Sequence, residues 1–190
     1  MDTSSSIFVL QVIGTVAFAV SGAVVGVRKR MDLLGVVIMA LAVAVGGGII
    51  RDVIIGITPP TAFRDPTYIA LGALTGAVMF LPAVRNWLKA RPIVYRQTFI
   101  VADAVGLGIF TASGIQTAYA AGNMTNVILL LFVGVATGTG GGVIRDIFAN
   151  MSPTILTDDF YATAALIGAG CCLIAWAPLG ETGSMLLCTS

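Results

Sequence analysis

Two arginine–aspartate pairs lie inside apolar stretches of this sequence, and each pair follows a run of three glycines. The two stretches read Gly46-Gly47-Gly48-Ile49-Ile50-Arg51-Asp52 and Gly140-Gly141-Gly142-Val143-Ile144-Arg145-Asp146. A helix-weakening triplet beside a charge pair is costly in lipid, where backbone groups and charges must both find partners. Because the sequence repeats so costly a pattern, it predicts a pore, in which charged side chains and backbone carbonyls face water and ions.

The composition places these motifs in a membrane. Of the 190 residues, 57% are hydrophobic and 10% are charged, and the mean hydropathy is +1.00. A soluble domain carries about 25% charged residues. The formal net charge of +1 gives no general attraction to nucleic acid, so we expect none as a partner. The sequence predicts an all-α integral membrane protein that is surrounded by lipid.

Apolar runs of about 20 residues predict six membrane spans in one membrane domain that comprises residues 1–190. The predicted spans cover residues 7–27, 33–57, 68–84, 97–118, 127–149 and 160–176. The C-terminal segment, residues 177–190, is too short to cross a bilayer as a complete helix. It predicts a partial or truncated seventh helix.

The chain consists of two related three-helix units, residues 7–84 and 97–176. Besides the glycine motif, the units share Gly, Phe, Ser and Gly at Gly14, Phe18, Ser21 and Gly22 and again at Gly106, Phe110, Ser113 and Gly114. Since each unit has an odd number of spans, the second enters the membrane from the opposite side. The prediction is an inverted repeat, an architecture that many transporters use to build a path at the membrane centre.

The glycine triplets Gly46 to Gly48 and Gly140 to Gly142 allow two interpretations. In the first, they interrupt spans two and five, and the freed carbonyls line a water-filled cavity. In the second, they let two helices cross closely, as small residues do in membranes. A crossing needs one glycine per turn, so three in succession favour the interruption. Glycines four residues apart, as at Gly22 and Gly26, Gly72 and Gly76, and Gly134 and Gly138, predict helix packing.

The charged and polar residues of the spans are the other candidates for the site. Arg51 and Asp52, like Arg145 and Asp146, could line a pore mouth, or they could extend to water at the membrane interface. Asp103 is the acid that lies well inside an apolar run, and Gln11 occupies the corresponding position of the first unit. An intramembrane carboxylate is a functional candidate by default, although it could also pair structurally with an arginine. The hydroxyls of Ser21 and Ser113 could contact a cation or a neighbouring helix.

Enzymatic chemistry is not expected of this chain. It has no histidine, and Cys171, Cys172 and Cys188 lack the spacing of metal ligands. The sequence shows no nucleophile–base pair and no paired catalytic carboxylates. We therefore expect no catalytic residue, no bound metal and no cofactor.

The basic residues predict the orientation of the chain. Seven of the ten lysines and arginines follow spans one and three, at Arg28, Lys29, Arg30, Arg85, Lys89, Arg91 and Arg96. Both loops fall on the same side, which is the cytoplasmic side by the positive-inside rule. We expect a multi-pass protein of the cell (inner) membrane with its N-terminus outside.

With two Gly-Gly-Gly-x-x-Arg-Asp copies in a three-plus-three repeat, the chain resembles the prokaryotic trimeric intracellular cation (TRIC) channels. The resemblance implies a homotrimer with one pore per protomer for monovalent cations, chiefly potassium. It implies that kinked second and fifth helices line the pore at Gly46 to Gly48 and Gly140 to Gly142, with both arginine–aspartate pairs nearby. Related bacterial domains are also named glycine transporters, so a secondary transporter of a small zwitterion such as glycine is the alternative.

Overall fold

The computed structural model describes residues 3–122, 126–157, 163 and 165–170. Within these ranges the secondary structure is helical, and no strand occurs there. The helices are α1 (Thr3–Arg28), α2 (Leu33–Ile54), α3 (Thr61–Arg64), α4 (Pro66–Phe80), α5 (Pro82–Ala90), α6 (Pro92–Ala120), α7 (Val127–Phe148) and α8 (Thr154–Thr157). Residues 165–170 are also helical.

Four helices of the described chain are long and apolar enough to cross a membrane: α1, α2, α6 and α7. Helices α4 and α5 form a pair bent by 70°, which would count as a fifth span if the pair crosses as one. Short polar side chains start several of these helices. Asp32 accepts from the backbone N–H of Gly35 at the start of α2, and Asn126 does the same for Leu129 at the start of α7.

Helices α2 and α7 continue without interruption through their glycine triplets. The predicted interruption at Gly46 to Gly48 and Gly140 to Gly142 is therefore wrong. Each glycine weakens a helix by up to about 1 kcal/mol relative to alanine in water. In a membrane an interrupted helix would leave backbone groups without hydrogen bonds, which costs several kcal/mol per group, so the helical hydrogen bonds persist.

The long helices form a closed arrangement in which α1 packs on α2 and α6, while α7 packs on the same two helices. Helix α4 covers α1 and α2. Glycines make these contacts possible, because a Cβ on Gly22 would lie 2.8 Å from the Met39 carbonyl oxygen and one on Gly76 would lie 3.0 Å from Val37 Cα. The predicted packing role of the spaced glycines is confirmed. Their partners lie in the same chain, so these contacts give no argument for a trimer.

The boundaries of spans three and four differ from the prediction. Helix α4 ends at Phe80 because Pro82 starts a new helix, and the predicted basic loop is largely helical, as α5 and the first turn of α6. Proline is well tolerated at the first helical position, which explains why Pro82 and Pro92 each open a helix. Most of the predicted span six and all of the C-terminal segment lie outside the described residues.

The order of elements supports two related units. A long helix, a second long helix with the glycine motif and a four-residue helix occur as α1–α2–α3 and again as α6–α7–α8. Helices α2 and α7 have the same length, 22 residues. The relative direction of the two units in the membrane stays a prediction.

Candidate functional site

The two glycine triplets meet where α2 crosses α7. A Cβ on Gly47 would lie 2.2 Å from the carbonyl oxygen of Thr137, and a Cβ on Gly141 would lie 2.5 Å from that of Val43. These two glycines are backbone contacts of a close crossing, as the packing interpretation predicts. Gly48 differs, because the nearest atom to its Cβ position is Arg51 Nη2 at 3.9 Å.

Gly46 and Gly140 lie on the same contact. A Cβ on Gly46 would lie 2.4 Å from Ile144 Cδ1, and one on Gly140 would lie 3.1 Å from Ile50 Cδ1. Gly142 is buried in α7. The isoleucines that each triplet meets belong to the other motif, so the two motifs pack against each other.

Two stacked aromatic rings occupy the centre of the bundle beside this crossing. The ring centroids of Phe18 and Phe110 are 5.2 Å apart and the ring planes differ by 14°. Both residues are buried, and a Cβ on Gly141 would lie 3.3 Å from Phe18. Phe18 also needs the space at Gly106, where a Cβ would lie 2.1 Å from its ring. These rings were not predicted from the sequence as part of the site, although their matching positions in the repeat were a signal.

The second motif forms a buried cluster that we call the Arg145 cluster: Arg145, Asp146, Asp103, Ser21 and Phe99. Arg145 Nε donates to Asp146 Oδ1 at 2.9 Å, and Arg145 Nη1 donates to Ser21 Oγ at 2.7 Å. Nη1 also forms an ion pair with Asp103, which accepts from the Ser21 hydroxyl at 3.0 Å. The guanidinium carbon lies 4.6 Å from the centroid of the Phe99 ring.

The first motif forms a corresponding set, the Arg51 cluster: Arg51, Asp52, Gln11, Ser113 and Tyr68. Arg51 Nε donates to Asp52 Oδ1 at 2.8 Å. The Gln11 amide donates to Ser113 Oγ at 3.0 Å, and the Tyr68 hydroxyl donates to Gln11 Oε1 at 2.7 Å. Asp103 in one cluster thus corresponds to Gln11 in the other, and Ser21 corresponds to Ser113.

Each motif aspartate also holds the segment that follows its helix. Asp52 Oδ2 accepts from the backbone N–H of Thr61 at 2.6 Å, where α3 begins. Asp146 Oδ2 accepts from the backbone N–H of Thr154 at 2.7 Å and from its hydroxyl at 2.8 Å, where α8 begins. Neither threonine was predicted as a site residue, although each directly follows a proline in the sequence.

Both motif arginines are buried in the bundle. Arg51 retains 6% of its surface and Arg145 retains none. The interpretation that these pairs extend outward to water at the interface is therefore wrong. A guanidinium can stay buried when a carboxylate balances its charge and hydrogen bonds complete its geometry, and each arginine has such a neighbour.

Two cavities adjoin the clusters. The smaller cavity has a volume of about 50 Å³, which is enough for about three waters. Its lining includes Gln11, Thr15, Gly48, Arg51, Asp52 and Tyr68. The larger, of about 1130 Å³, lies between the end of α1 and the start of α6. Its lining includes Arg28, Arg30, Arg96 and Phe99, so Phe99 links this cavity to the Arg145 cluster.

The described part of the chain contains no group of three or more histidine, cysteine, aspartate or glutamate side chains that could hold a metal ion. The predicted polar residues of both units are instead distributed between the two clusters. The crossing and the aromatic pair lie in the same bundle. Such an arrangement can guide an ion or a small charged solute, because it combines buried charge with cavities large enough for water.

Several known proteins are similar to this chain in sequence and in fold. A family model described as "Glycine transporter" matches residues 8–83 and 100–177. A UPF0126 membrane protein of Deinococcus radiodurans is 42% identical over 163 residues, which are 85% of this chain and 72% of that protein. A TRIC cation channel structure aligns with TM-score 0.79 and 39% identity over 95% of this chain and 86% of that one. The TRIC trimeric intracellular cation channel orthologue from Rhodobacter sphaeroides aligns with TM-score 0.84 and 31% identity over 97% and 94% of the two chains.

Proposed function

This chain belongs to the glycine transporter family of membrane proteins and shares its fold with the TRIC cation channels, and from this premise we propose that it is a potassium-permeable cation channel. The observation that carries the proposal is the match to a TRIC cation channel over 95% of this chain at 39% identity. The all-helical multi-pass fold is shared over nearly the whole length, so the motif residues occupy a common framework.

The proposed ion path runs through each protomer, between α1, α2, α6 and α7. It leads from the larger cavity past the Arg145 cluster and the aromatic pair to the smaller cavity at the Arg51 cluster. Two observations support this course: the buried Arg51 and Asp52 line the smaller cavity, and Phe99, which lines the larger cavity, contacts Arg145. The triplets Gly46 to Gly48 and Gly140 to Gly142 bring α2 and α7 together along this path.

The stacked rings of Phe18 and Phe110 fill the middle of the proposed path. Both side chains are buried, and the Phe18 ring packs beside Gly141 at the helix crossing. Potassium cannot pass an apolar plug of this kind without losing its water, so conduction requires the rings to move apart. This conformation is then a closed one.

The protomer is proposed to assemble as a homotrimer in the inner membrane with its N-terminus outside. The Rhodobacter sphaeroides neighbour is named a trimeric channel, and the bias of basic residues gives the orientation. Helix α5 fits the cytoplasmic interface, because Trp87 is half-exposed and the Arg91 guanidinium carbon lies 5.8 Å from the centroid of its ring. Potassium is the permeant ion, and no cofactor is required.

The second candidate is a secondary transporter of a small zwitterion such as glycine. The description of the matching family model favours it. The smaller cavity also offers a guanidinium at Arg51 and a carboxylate at Asp52, which could face the two charges of an amino acid. The two functions differ in rate, because a channel passes many ions per opening and a transporter changes conformation for each solute.

Single-channel recording in planar bilayers with potassium chloride tests the proposal. We expect unitary current steps, which a transporter is too slow to produce. The variant Gly48→Leu should reduce the step size, since its side chain enters the smaller cavity and the nearest atom to the Cβ position is 3.9 Å away. The matched control is Val53→Leu on the same helix, where the side chain is 62% exposed. Glycine uptake into proteoliposomes without any unitary current would contradict the channel and favour the transporter.

A further inference from the structure

The four-residue helix α3 covers the smaller cavity beside the end of α2. Thr61 and Ala62 belong to the lining of that cavity, and α3 packs on α2 and α4. Ala62 is the buried residue of α3, and the Phe63 side chain is 64% exposed. Because an alanine buries little apolar surface, packing alone attaches α3 weakly to the bundle.

The Asp52 carboxylate supplies the stronger attachment. Its Oδ2 atom accepts from the backbone N–H of Thr61 at 2.6 Å, and the residue is buried. A hydrogen bond to a charged acceptor is roughly twice as strong as one between neutral groups. The other oxygen, Oδ1, contacts Arg51 Nε and Nη2, each at 2.8 Å. If α3 moves away, the carboxylate therefore keeps its balancing charge, and no buried charge is left unpaired.

The second motif repeats this arrangement at the other cavity. Asp146 Oδ2 accepts from both the backbone N–H and the hydroxyl of Thr154. Met151, which lies between these two residues in the chain, lines the larger cavity. Each motif aspartate thus joins its arginine to a segment that borders a cavity. Asp52 accepts one hydrogen bond from its threonine and Asp146 accepts two, so the attachment at the smaller cavity is the weaker one.

We infer that α3 is a lid on the smaller cavity and that Asp52 is the latch that holds this lid closed. The inference rests on the proposed path, but not on whether ions or a zwitterion use it. Opening of α3 admits water and solute to the Arg51 cluster while the long helices stay packed. The competing explanation is that the hydrogen bond between Asp52 and Thr61 only stabilises the fold, in which case access to the cavity does not depend on it.

The experiment measures how fast a cationic methanethiosulfonate modifies the variant Thr15→Cys in lipid nanodiscs. Thr15 lines the smaller cavity and is 1% exposed, so modification requires an open lid. The three native cysteines are first replaced by serine, so that the introduced thiol alone reacts. Nanodiscs give the reagent access to both faces of the membrane, and the result does not depend on the orientation of the chain.

The variant Thr61→Pro removes the donated N–H and retains the start of α3. Proline is favoured at the first helical position, and Pro60 already has the extended ψ of 146° that a following proline requires. We expect Thr61→Pro to raise the modification rate at Thr15→Cys at least about tenfold, a ratio equivalent to about 1.4 kcal/mol. The matched control Thr61→Ala keeps the N–H and should leave the rate unchanged. A second control, Ala23→Cys in the core between α1 and α2, should stay unmodified in every variant.

Equal rates for Thr61→Pro and Thr61→Ala would overturn the lid and leave the proposed channel intact. A rise that also occurs at Ala23→Cys would show loosening of the whole bundle and would overturn the lid as well. If Thr61→Pro does not fold, Arg64→Ala decides the matter, because the exposed Arg64 donates to the Thr58 carbonyl at 2.8 Å and holds the segment before α3. Its loss should raise the rate, and an unchanged rate would refute the lid. A protein with the expected labelling pattern that passes no current would overturn the channel and support the lid.

Discussion

Alanine at Gly47 should destabilise the protein, whereas alanine at the adjacent Gly48 should not. Both changes add one methyl group within the same turn of α2. At Gly47 the new Cβ would lie 2.2 Å from the Thr137 carbonyl oxygen of α7, and at Gly48 the nearest atom is a flexible side-chain nitrogen at 3.9 Å. The pair therefore isolates the helix crossing from the effect of glycine on helix formation.

The magnitude follows from the geometry at Gly47. To reach ordinary van der Waals contact, α2 and α7 must separate locally by roughly 1 Å or more. Overpacking of this kind costs about 1–3 kcal/mol, and the better helix propensity of alanine offsets up to about 1 kcal/mol of it. Gly48→Ala gains the propensity without the contact. Because the propensity gain is common to both, we expect the two variants to differ by the overpacking cost of about 1–3 kcal/mol, which corresponds to a difference of about 2–12 °C in melting temperature for a chain of this size.

Thermal melting in detergent, followed by size-exclusion chromatography of the surviving protein, measures this difference. Gly141→Ala and Gly140→Ala form a second matched pair. The first would contact the Val43 backbone oxygen at 2.5 Å, while the second would meet the tip of the Ile50 side chain at 3.1 Å and the Cα of Gly47 at 3.2 Å, so the second is the milder overpacking. If Gly47→Ala melts at or above the temperature of Gly48→Ala, the crossing is not a tight backbone contact and the reasoning is refuted.

Asp52→Asn should lower the unfolding free energy by about 3–5 kcal/mol, because the Arg51 guanidinium would stay buried without a balancing charge; the melting temperature measures it, and wild-type stability would contradict the ion pair. A cysteine introduced as Arg30→Cys should react with a membrane-impermeant maleimide only from the cytoplasmic side, and labelling of intact cells from outside would reverse the predicted topology. The hydroxyl and backbone N–H of Thr67 hold the pKa of Asp65 below its usual value of 3.8. A lowered folded-state pKa contributes stability above the unfolded-state pKa, and this contribution disappears as the pH falls through the folded-state value. The difference in melting temperature between wild type and Asp65→Ala should therefore shrink between neutral pH and pH about 3, and a constant difference would show that the charge of Asp65 is not involved.

Several features of this protein follow from the amino-acid sequence alone. Hydropathy and the low fraction of charged residues place the chain in lipid, where backbone groups must be satisfied internally, and apolar runs of about 20 residues select helices. The doubled motif identified the family. Asp103, Gln11, Ser21 and Ser113 stood at corresponding positions of the repeat, which is why the two clusters hold the residues that the sequence analysis selected.

The behaviour of the glycine triplets depended on tertiary structure. Local propensity predicted an interruption, but propensity is a weak preference that packing overrides. At Gly47 and Gly141 the absence of a side chain serves the approach of another helix, and no single-helix argument contains that neighbour. A close helix crossing was the alternative interpretation of the triplets, but the local sequence does not identify which backbone atoms of the partner helix each glycine meets.

The partners of the charged residues were also beyond the sequence. Arg145 contacts Asp103 because α6 and α7 lie side by side. Arg51 is buried because α1, α3 and α4 surround the end of α2. Side chains far apart in the chain met only because packing of apolar surfaces and small residues fixed the positions of whole helices. Sequence thus determined which groups must avoid lipid, and the tertiary fold decided which partners satisfy them, because electrostatic energy depends on distances that local sequence does not contain.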